Sequence, residues 1–174
     1  MTKVINLFGG PGIGKSSTAA GIFHKLKFAG ISCELVTEYA KDLVWETNYD
    51  LLENSLHILA EQNRRQRRLR GKVDFIITDS PLILPAVYHK ESKTSLHMND
   101  LCWKEFSSYD NYNFLLLRNK PYVNQGRTQT EETAIELDGR IKWYLDSYGV
   151  SYTEIIGRES SAHLIAAFLE QRLP

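Results

Sequence analysis

A chain of 174 residues with 43% hydrophobic and 24% charged residues has the size and composition of one globular domain with a sizeable core. Its longest apolar runs, such as residues 75–77 and 114–117, have the length of strands and are far too short to span a membrane. The run that follows Lys3 is too short for a signal peptide, and Cys33 and Cys102 make neither a disulfide framework nor a metal-binding spacing. We therefore expect a cytoplasmic protein with buried thiols and no membrane contact.

The formal net charge is zero, but the basic residues are unevenly distributed along the chain. Six of them fall in a stretch without any acidic residue: Arg64, Arg65, Arg67, Arg68, Arg70 and Lys72. Without these six, the chain has 15 basic and 21 acidic residues. Such a patch either docks a particular anion or is the solvated end of a helix, where arginines suit the helix dipole.

Five apolar runs predict strands, at residues 4–8, 32–37, 73–78, 113–117 and 151–156. Helices are predicted at residues 15–29, 51–70, 99–107, 130–147 and 160–172, and residues 88–98 form an irregular polar insertion. Gly30, Gly71 and Gly149 each stand between a predicted helix and the next strand, where a left-handed glycine commonly ends a helix. The alternation predicts an α/β fold in one domain, residues 1–174, with a five-stranded parallel sheet wound on both faces by helices.

The first predicted strand runs into a glycine-rich loop with the pattern G-x-x-x-x-G-K-[ST] and then into a helix. The loop consists of Gly9, Gly10, Pro11, Gly12, Ile13, Gly14, Lys15 and Ser16, and Ser17 follows it. A loop of this kind lets several backbone N–H groups turn towards one phosphate. Lys15 then reaches the β- and γ-phosphates, and the Ser16 hydroxyl binds Mg²⁺. The strand, loop and helix together predict a P-loop that binds ATP.

Three carboxylates lie at or near the ends of other predicted strands, at the edge of a parallel sheet where ligands bind. Asp79 follows the third strand, where it is predicted to hold Mg²⁺ through water or to accept the proton of the acceptor hydroxyl. The alternative is that Asp79 caps a turn before Pro81. Glu38 closes the second strand and is the favoured general base, and Asp42 could share that role or bind the acceptor. Both could instead be charges that suit a helix N-terminus.

The helix predicted at residues 51–70 carries candidate groups for binding an acceptor. Gln62 and Asn63 have amides that can read a base edge, and they precede Arg64 and Arg68, which can contact phosphates. Aromatic residues near both cleft-forming strands could stack on a base or simply cover the core: Tyr39, Trp45, Tyr49, Tyr88 and Trp103. Among these, Tyr39 is the one predicted to bind the acceptor.

Three arginines follow the fourth predicted strand in a pattern suited to shielding a transferring phosphate. Arg118 comes directly after the strand, Arg127 lies in the next loop, and Arg140 lies on the next helix. The pattern resembles the arginine lid of the adenylate-kinase-like family, here short and at about residues 118–130. The resemblance implies that Arg118 lies near the donor base, with Arg127 and Arg140 near the transferring phosphate. For Arg140, an ion pair to Glu136 is the alternative.

Residues 5–12, 35–46, 62–64 and 73–82 together resemble the small P-loop kinases of bacteriophages, and the resemblance covers nearly the whole chain. Members of that group include DNA kinases that phosphorylate the hydroxymethyl group of 5-hydroxymethyluracil or 5-hydroxymethylcytosine in phage DNA. A more distant similarity is to ribosylnicotinamide kinases, and deoxynucleoside kinases place a glutamate where Glu38 stands. The resemblance implies Mg-ATP as donor, hydroxymethylated DNA as acceptor and the host cytoplasm as location.

Three functions remain open at the level of the sequence. A kinase for hydroxymethylpyrimidines in DNA would use the arginines on the DNA backbone and take a flipped-out or single-stranded base, although neutrality is unusual for a DNA-binding domain. A kinase for a free nucleoside or nucleotide, including nicotinamide riboside, is the alternative. A nucleotide-driven switch of the AAA type is expected to need a further helical domain, for which 174 residues leave no room.

Overall fold

The fold is a parallel sheet between two layers of helices. The computed structural model describes residues 2–89, 95–119, 122 and 130–172 of the chain. Within this part, the strands are β1 (Lys3–Phe8), β2 (Cys33–Val36), β3 (Phe75–Thr78), β4 (Asp110–Leu117) and β5 (Thr153–Ile156). They pair in parallel in the order β2-β3-β1-β4-β5. The predicted fold class is therefore confirmed.

The helices on the two faces include several that the sequence did not predict. They are α1 (Lys15–Phe28), α2 (Tyr39–Trp45), α3 (Tyr49–Leu52), α4 (Ser55–Arg67), α5 (Leu84–Tyr88), α6 (Ser95–Ser107), α7 (Glu131–Ser147) and α8 (Ser161–Glu170). The helix predicted at 51–70 is interrupted because the Asn54 side chain accepts the His57 N–H and starts α4 anew. The helix predicted at 99–107 begins at Ser95, so the last part of the predicted irregular insertion is helical, and residues 90–94 lie outside the described residues.

The central strand β1 shows how one sheet divides two cores. Val4 and Phe8 face the core beneath α4, α5, α6 and α7, whereas Ile5 and Leu7 face the core beneath α1 and α8. All four are at most 1% exposed. Successive strand residues point to opposite faces, so an unbroken apolar run is what a doubly covered strand requires. Both predicted thiols are buried, one in each core.

The strand order determines which chain segments meet at the end of β1. Because β1 lies between β3 and β4, the loop after β1 is flanked by the residues that follow those two strands. The helix-ending glycines keep the connections short: Gly30, Gly71 and Gly149 have φ angles of 75°, 76° and 62°. Among the residues that the structure describes, no helix is both long and apolar enough to cross a membrane.

Candidate functional site

The glycine-rich loop after β1 has the conformation that an anion cradle requires. Gly9, Gly12 and Gly14 have φ angles of 138°, 79° and 110°, which residues with a Cβ rarely adopt. Lys15 begins α1 and is 8% exposed, and its ammonium donates to the carbonyl oxygens of Gly9 at 2.7 Å and Gly10 at 3.0 Å. In this structure Lys15 therefore hydrogen-bonds to its own loop, and its charge lies inside the loop where a phosphate would bind.

Charged groups from four parts of the chain surround Lys15. Burial lowers the pKa of Lys15, while the carboxylates of Glu38, Asp79 and Asp138 act in the opposite direction and the Arg118 charge adds to the lowering. Three acidic groups that influence one buried ammonium lie around the same cleft. The structure thus brings the predicted residues Glu38 and Asp79 to the P-loop, and it adds Asp138, which the sequence did not single out.

Asp79 and Ser16 have the donor atoms that a magnesium ion would need. Asp79 is 3% exposed, and its Oδ1 atom is buried without a hydrogen-bond partner among the described residues. Among the described residues, no hydrogen bond joins the Asp79 carboxylate to the turn before Pro81, and the Ser80 N–H bonds to Thr78 Oγ1. Ser16 is exposed at the start of α1, as is Ser17. Since Mg²⁺ prefers oxygen ligands and keeps several waters, an orphaned carboxylate oxygen beside the P-loop fits this ion.

Asp138 of α7 links the P-loop to Arg118, the residue that follows β4. Its Oδ1 accepts the Gly10 N–H at 2.6 Å, and its Oδ2 accepts Arg118 Nε at 2.7 Å. Arg118 also donates from Nη2 to the Pro11 carbonyl at 2.9 Å. A Cβ on Gly10 would lie 2.6 Å from the Ala134 carbonyl, so only glycine permits this approach of α7. Arg118 therefore lies against the P-loop, and its contact with the donor base stays a prediction.

Two tyrosines line the cleft near the loop. A Cβ on Gly12 would meet the Tyr122 ring at 2.6 Å, so this ring packs directly on the P-loop. Burial raises the pKa of Tyr88, and the charges of Glu38 and Asp138 and the nearby Tyr122 raise it further. Tyr88 and Tyr122 therefore lie on the same side of the cleft as the carboxylates. Tyr88 was one of the five aromatic residues considered for stacking, whereas Tyr122 was not recognised because no local pattern marks it.

Gln62 and Asn63 are bound within the protein, and their amides do not face a base. The Gln62 amide accepts the Tyr39 N–H at 3.0 Å and donates to the Thr37 carbonyl at 3.2 Å. Asn63 donates to Glu105 at 2.6 Å and accepts from the Tyr109 hydroxyl at 2.8 Å. In this structure, both amides predicted to read a base are therefore engaged in hydrogen bonds within the protein.

Two of the remaining predicted acceptor residues, Arg64 and Arg68, line a groove along the edge strand β2. This arginine groove is a cavity of about 250 Å³ lined by Leu35, Val36, Thr37, Arg64, Arg65 and Arg68. Asp42 contacts one of the lining residues, because it pairs with Arg65 at 2.8 Å. Tyr39 turns the same way, with its ring beneath the Arg65 guanidinium and its hydroxyl 2.8 Å from His57 Nε2. Of the predicted acceptor-binding residues, Glu38 is the one whose charge is seen to act on Lys15, where it raises the pKa.

The groove arginines are partly neutralised by acidic neighbours. Arg64 makes two hydrogen bonds to Glu61, at 2.7 and 2.8 Å, and Arg65 makes a third at 3.1 Å. The hydrogen bond from Arg64 is the main reason that the pKa of Glu61 falls to about 2. Arg68 donates from Nε to the Arg65 carbonyl at 3.3 Å. The groove therefore keeps a positive character that is concentrated at its Arg68 end.

The predicted lid is described only at its ends. Residues 120–121 and 123–129, which include Arg127, lie outside the described residues. Arg140 is exposed on α7, and within the described part of the chain it forms no ion pair to Glu136. Asp138 faces the P-loop. Because residues two apart lie on nearly opposite sides of a helix, Arg140 points away from the P-loop. Its contact with a transferring phosphate remains a prediction.

Comparison with known proteins places the chain among P-loop proteins. A family model described as an AAA domain matches residues 4–161. No curated protein matches the chain in sequence.

Solved structures with the same fold include proteins that bind nucleotides. The NadR protein in complex with NAD and AMP-PNP has a TM-score of 0.73, and NadR in complex with NR has 0.72, each at 14% identity over 98% of this chain. The chain spans about half the length of these NadR chains, at 49% and 50%. Deoxyadenosine kinase from M. mycoides with bound dATP has a TM-score of 0.60 at 16% identity, over 98% of this chain and 100% of that chain. At such identities the likeness establishes a shared P-loop kinase-like fold.

Proposed function

The chain belongs to the family of P-loop proteins described as AAA domains, and we propose that it is an ATP-dependent kinase of a free nucleoside or nucleotide. The observation that carries this proposal is the convergence of Lys15, Glu38 and Asp79 on one cleft at the carboxyl edge of the sheet. A phosphate cradle with a buried lysine binds the donor, and a carboxylate opposite that lysine is suited to activate a hydroxyl.

The proposed reaction is an in-line transfer of the γ-phosphoryl group of ATP. The acceptor hydroxyl gives its proton to Glu38, and its oxygen forms a bond to the γ-phosphorus. The bond from that phosphorus to the oxygen bridging it to the β-phosphate breaks, and ADP leaves with the electron pair. Lys15, released from the Gly9 and Gly10 carbonyls, offsets the charge that moves onto the leaving oxygen. Mg²⁺, held by Asp79 and Ser16, would supply further charge neutralisation between the phosphates.

The similar structures favour a small acceptor. The NadR structures contain NR in one case and NAD with AMP-PNP in the other, and the M. mycoides enzyme is a deoxyadenosine kinase with dATP. By this likeness, we infer that the cleft of the present chain accepts a nucleoside or nucleotide of similar size. Tyr88 and Tyr122 beside the P-loop provide aromatic surface against which a base can stack.

A second candidate is a kinase for hydroxymethylated pyrimidines in DNA, and the arginine groove favours it. The groove lies beside Thr37, the residue before Glu38, and Arg68 offers a guanidinium at one end. A DNA backbone could be held there while a flipped-out base enters the cleft. The ion pairs of Arg64 and Arg65 with Glu61 and Asp42 weaken this attraction, so the free nucleoside remains the main proposal.

Transfer of label from γ-labelled ATP to a panel of acceptors tests the two candidates. The panel contains deoxynucleosides, deoxynucleotides, nicotinamide riboside, plain DNA, and DNA with 5-hydroxymethyluracil or 5-hydroxymethylcytosine. We expect label on a free nucleoside or nucleotide, at a rate that responds little to salt. Label only on hydroxymethylated DNA, at a rate that falls steeply with salt and with Arg64→Ala plus Arg68→Ala, selects the second candidate.

A further inference from the structure

The segment that carries Glu38 is held by one buried side chain from a distant helix. Gln62 of α4 is 0% exposed, and its amide bonds to the backbone on both sides of Glu38. Its Oε1 accepts the Tyr39 N–H at 3.0 Å, and its Nε2 donates to the Thr37 carbonyl at 3.2 Å. A glutamine amide is suited to this because it combines one acceptor and a donor in a single plane.

The start of α2 explains why such support is needed. Tyr39 is the first residue of α2, and the first N–H groups of a helix have no partner within the helix. The residue before it commonly supplies a cap, but the Glu38 side chain makes no capping hydrogen bond. Gln62 satisfies the Tyr39 N–H from outside the helix. The backbone on both sides of Glu38 is thereby fixed, and the charge of the Glu38 carboxylate acts to raise the pKa of Lys15.

The two neighbours of Glu38 show that the orientation of this segment matters. Thr37 lines the arginine groove, and Tyr39 packs against the groove residue Arg65 with its ring and contacts His57 with its hydroxyl. Rotation of the segment about its axis would exchange the cleft-facing and groove-facing positions. Hydrogen bonds to residues 37 and 39 resist this rotation because they fix the peptide planes before and after Glu38.

We infer that Gln62 is a positioning residue that fixes the backbone around Glu38 and so holds the carboxylate towards the acceptor hydroxyl. This inference rests on the proposed function, in which Glu38 accepts the acceptor proton. It gives the buried amide a role in phosphoryl transfer without contact with either substrate.

Replacement of the buried amide, with a matched control on the same helix, tests the inference. Gln62→Met removes both hydrogen bonds at similar volume, and we expect kcat to fall by about tenfold to a hundredfold while the Kd for ATP changes by less than about twofold. Gln66→Met is the control, because Gln66 lies one turn further on α4, is 1% exposed, and its Nε2 has no partner among the described residues. That variant should keep kcat within about twofold of the original protein.

A double substitution separates positioning from general damage to the fold. In a Glu38→Gln background, Gln62→Met should lower kcat by less than about twofold further, since the group that Gln62 positions is already inactive. An equally large additional loss in that background, or an unchanged kcat for Gln62→Met alone, overturns the inference.

Gln62→Glu provides a second variant if Gln62→Met does not fold. A protonated carboxyl can accept the Tyr39 N–H and donate to the Thr37 carbonyl, whereas the ionised form cannot donate. Its kcat relative to the original protein should therefore fall as the pH rises through the pKa of the introduced carboxyl. A ratio that stays constant with pH contradicts the role of the donor.

Hydrogen exchange of the Tyr39 amide tests, without any acceptor, whether Gln62 fixes the backbone around Glu38. We expect faster exchange at Tyr39 in Gln62→Met than in the original protein, and equal rates overturn the inference. If the original protein transfers phosphate to no acceptor, the proposed function fails while this comparison still decides whether Gln62 holds the segment.

Discussion

Asp138 is the residue through which the P-loop, β4 and α7 are joined. Its two carboxylate oxygens bond to Gly10 and Arg118, which lie on different segments of the chain. The side chains of Arg118 and Asp138 are 14% and 24% exposed, so solvent screens the pair only in part. Charge-assisted hydrogen bonds in such a setting are stronger than those on an open surface.

We predict that Asp138→Ala lowers the free energy of unfolding by about 2 kcal/mol, because the Gly10 N–H and the Arg118 guanidinium lose their acceptor. Urea denaturation of the two proteins measures the difference. Glu136→Ala, an exposed position on the same helix, is the control and should change stability by less than about 0.5 kcal/mol. Equal losses for both variants would show that Asp138 does not brace the loop.

At the scale of elements, the packing of α1 on α8 depends on a small residue within α1. A Cβ added at Gly21 would lie 2.6 Å from the Cβ of Ala162 in α8, closer than packed side chains come. Gly139 in α7 provides the opposite case, because a Cβ there would meet nothing within 4 Å. Both glycines lie inside helices, where alanine is intrinsically favoured by about 1 kcal/mol.

We therefore expect substitutions of opposite sign at these two glycines. Gly139→Ala should stabilise the protein by about 0.5–1 kcal/mol through helix propensity alone. Gly21→Ala should destabilise it by about 1–2 kcal/mol, since the overlap with Ala162 outweighs that gain. Ala162→Gly added to the Gly21→Ala protein should restore part of the stability that Gly21→Ala loses. Thermal unfolding of the four proteins checks this, and a stabilising Gly21→Ala would contradict the packing of α1 against α8.

At the scale of the whole molecule, the sequence was informative wherever neighbouring residues determine the structure. The P-loop, the strand that precedes it and the glycines after helices are local features, and the structure confirms their conformations. The order of the strands depends on tertiary contacts that no periodicity reveals. The helices α2, α3 and α5 have only 7, 4 and 5 residues, which is too short for a helical periodicity to stand out in the sequence.

The candidate site divides in the same way. Glu38 and Asp79 could be found because each lies at or just after the end of an apolar strand. Asp138 could not be found, and Gln62 was found but given a base-reading role, because their hydrogen-bond partners are 128 and 23 residues away. The acceptor roles given to Asp42 and Asn63 stay predictions. In this structure Asp42 pairs with Arg65, and Asn63 donates to Glu105.

The central claim is that the P-loop delivers a phosphoryl group to an acceptor hydroxyl. The most direct measurement is the fate of the label from γ-labelled ATP, with and without the acceptor, for the original protein and for Lys15→Ala. We predict label on the acceptor with the original protein, and a loss of at least about a hundredfold for a folded Lys15→Ala protein. Label that appears only as inorganic phosphate, at the same rate with and without acceptor, would contradict the claim and indicate a nucleotide-driven switch.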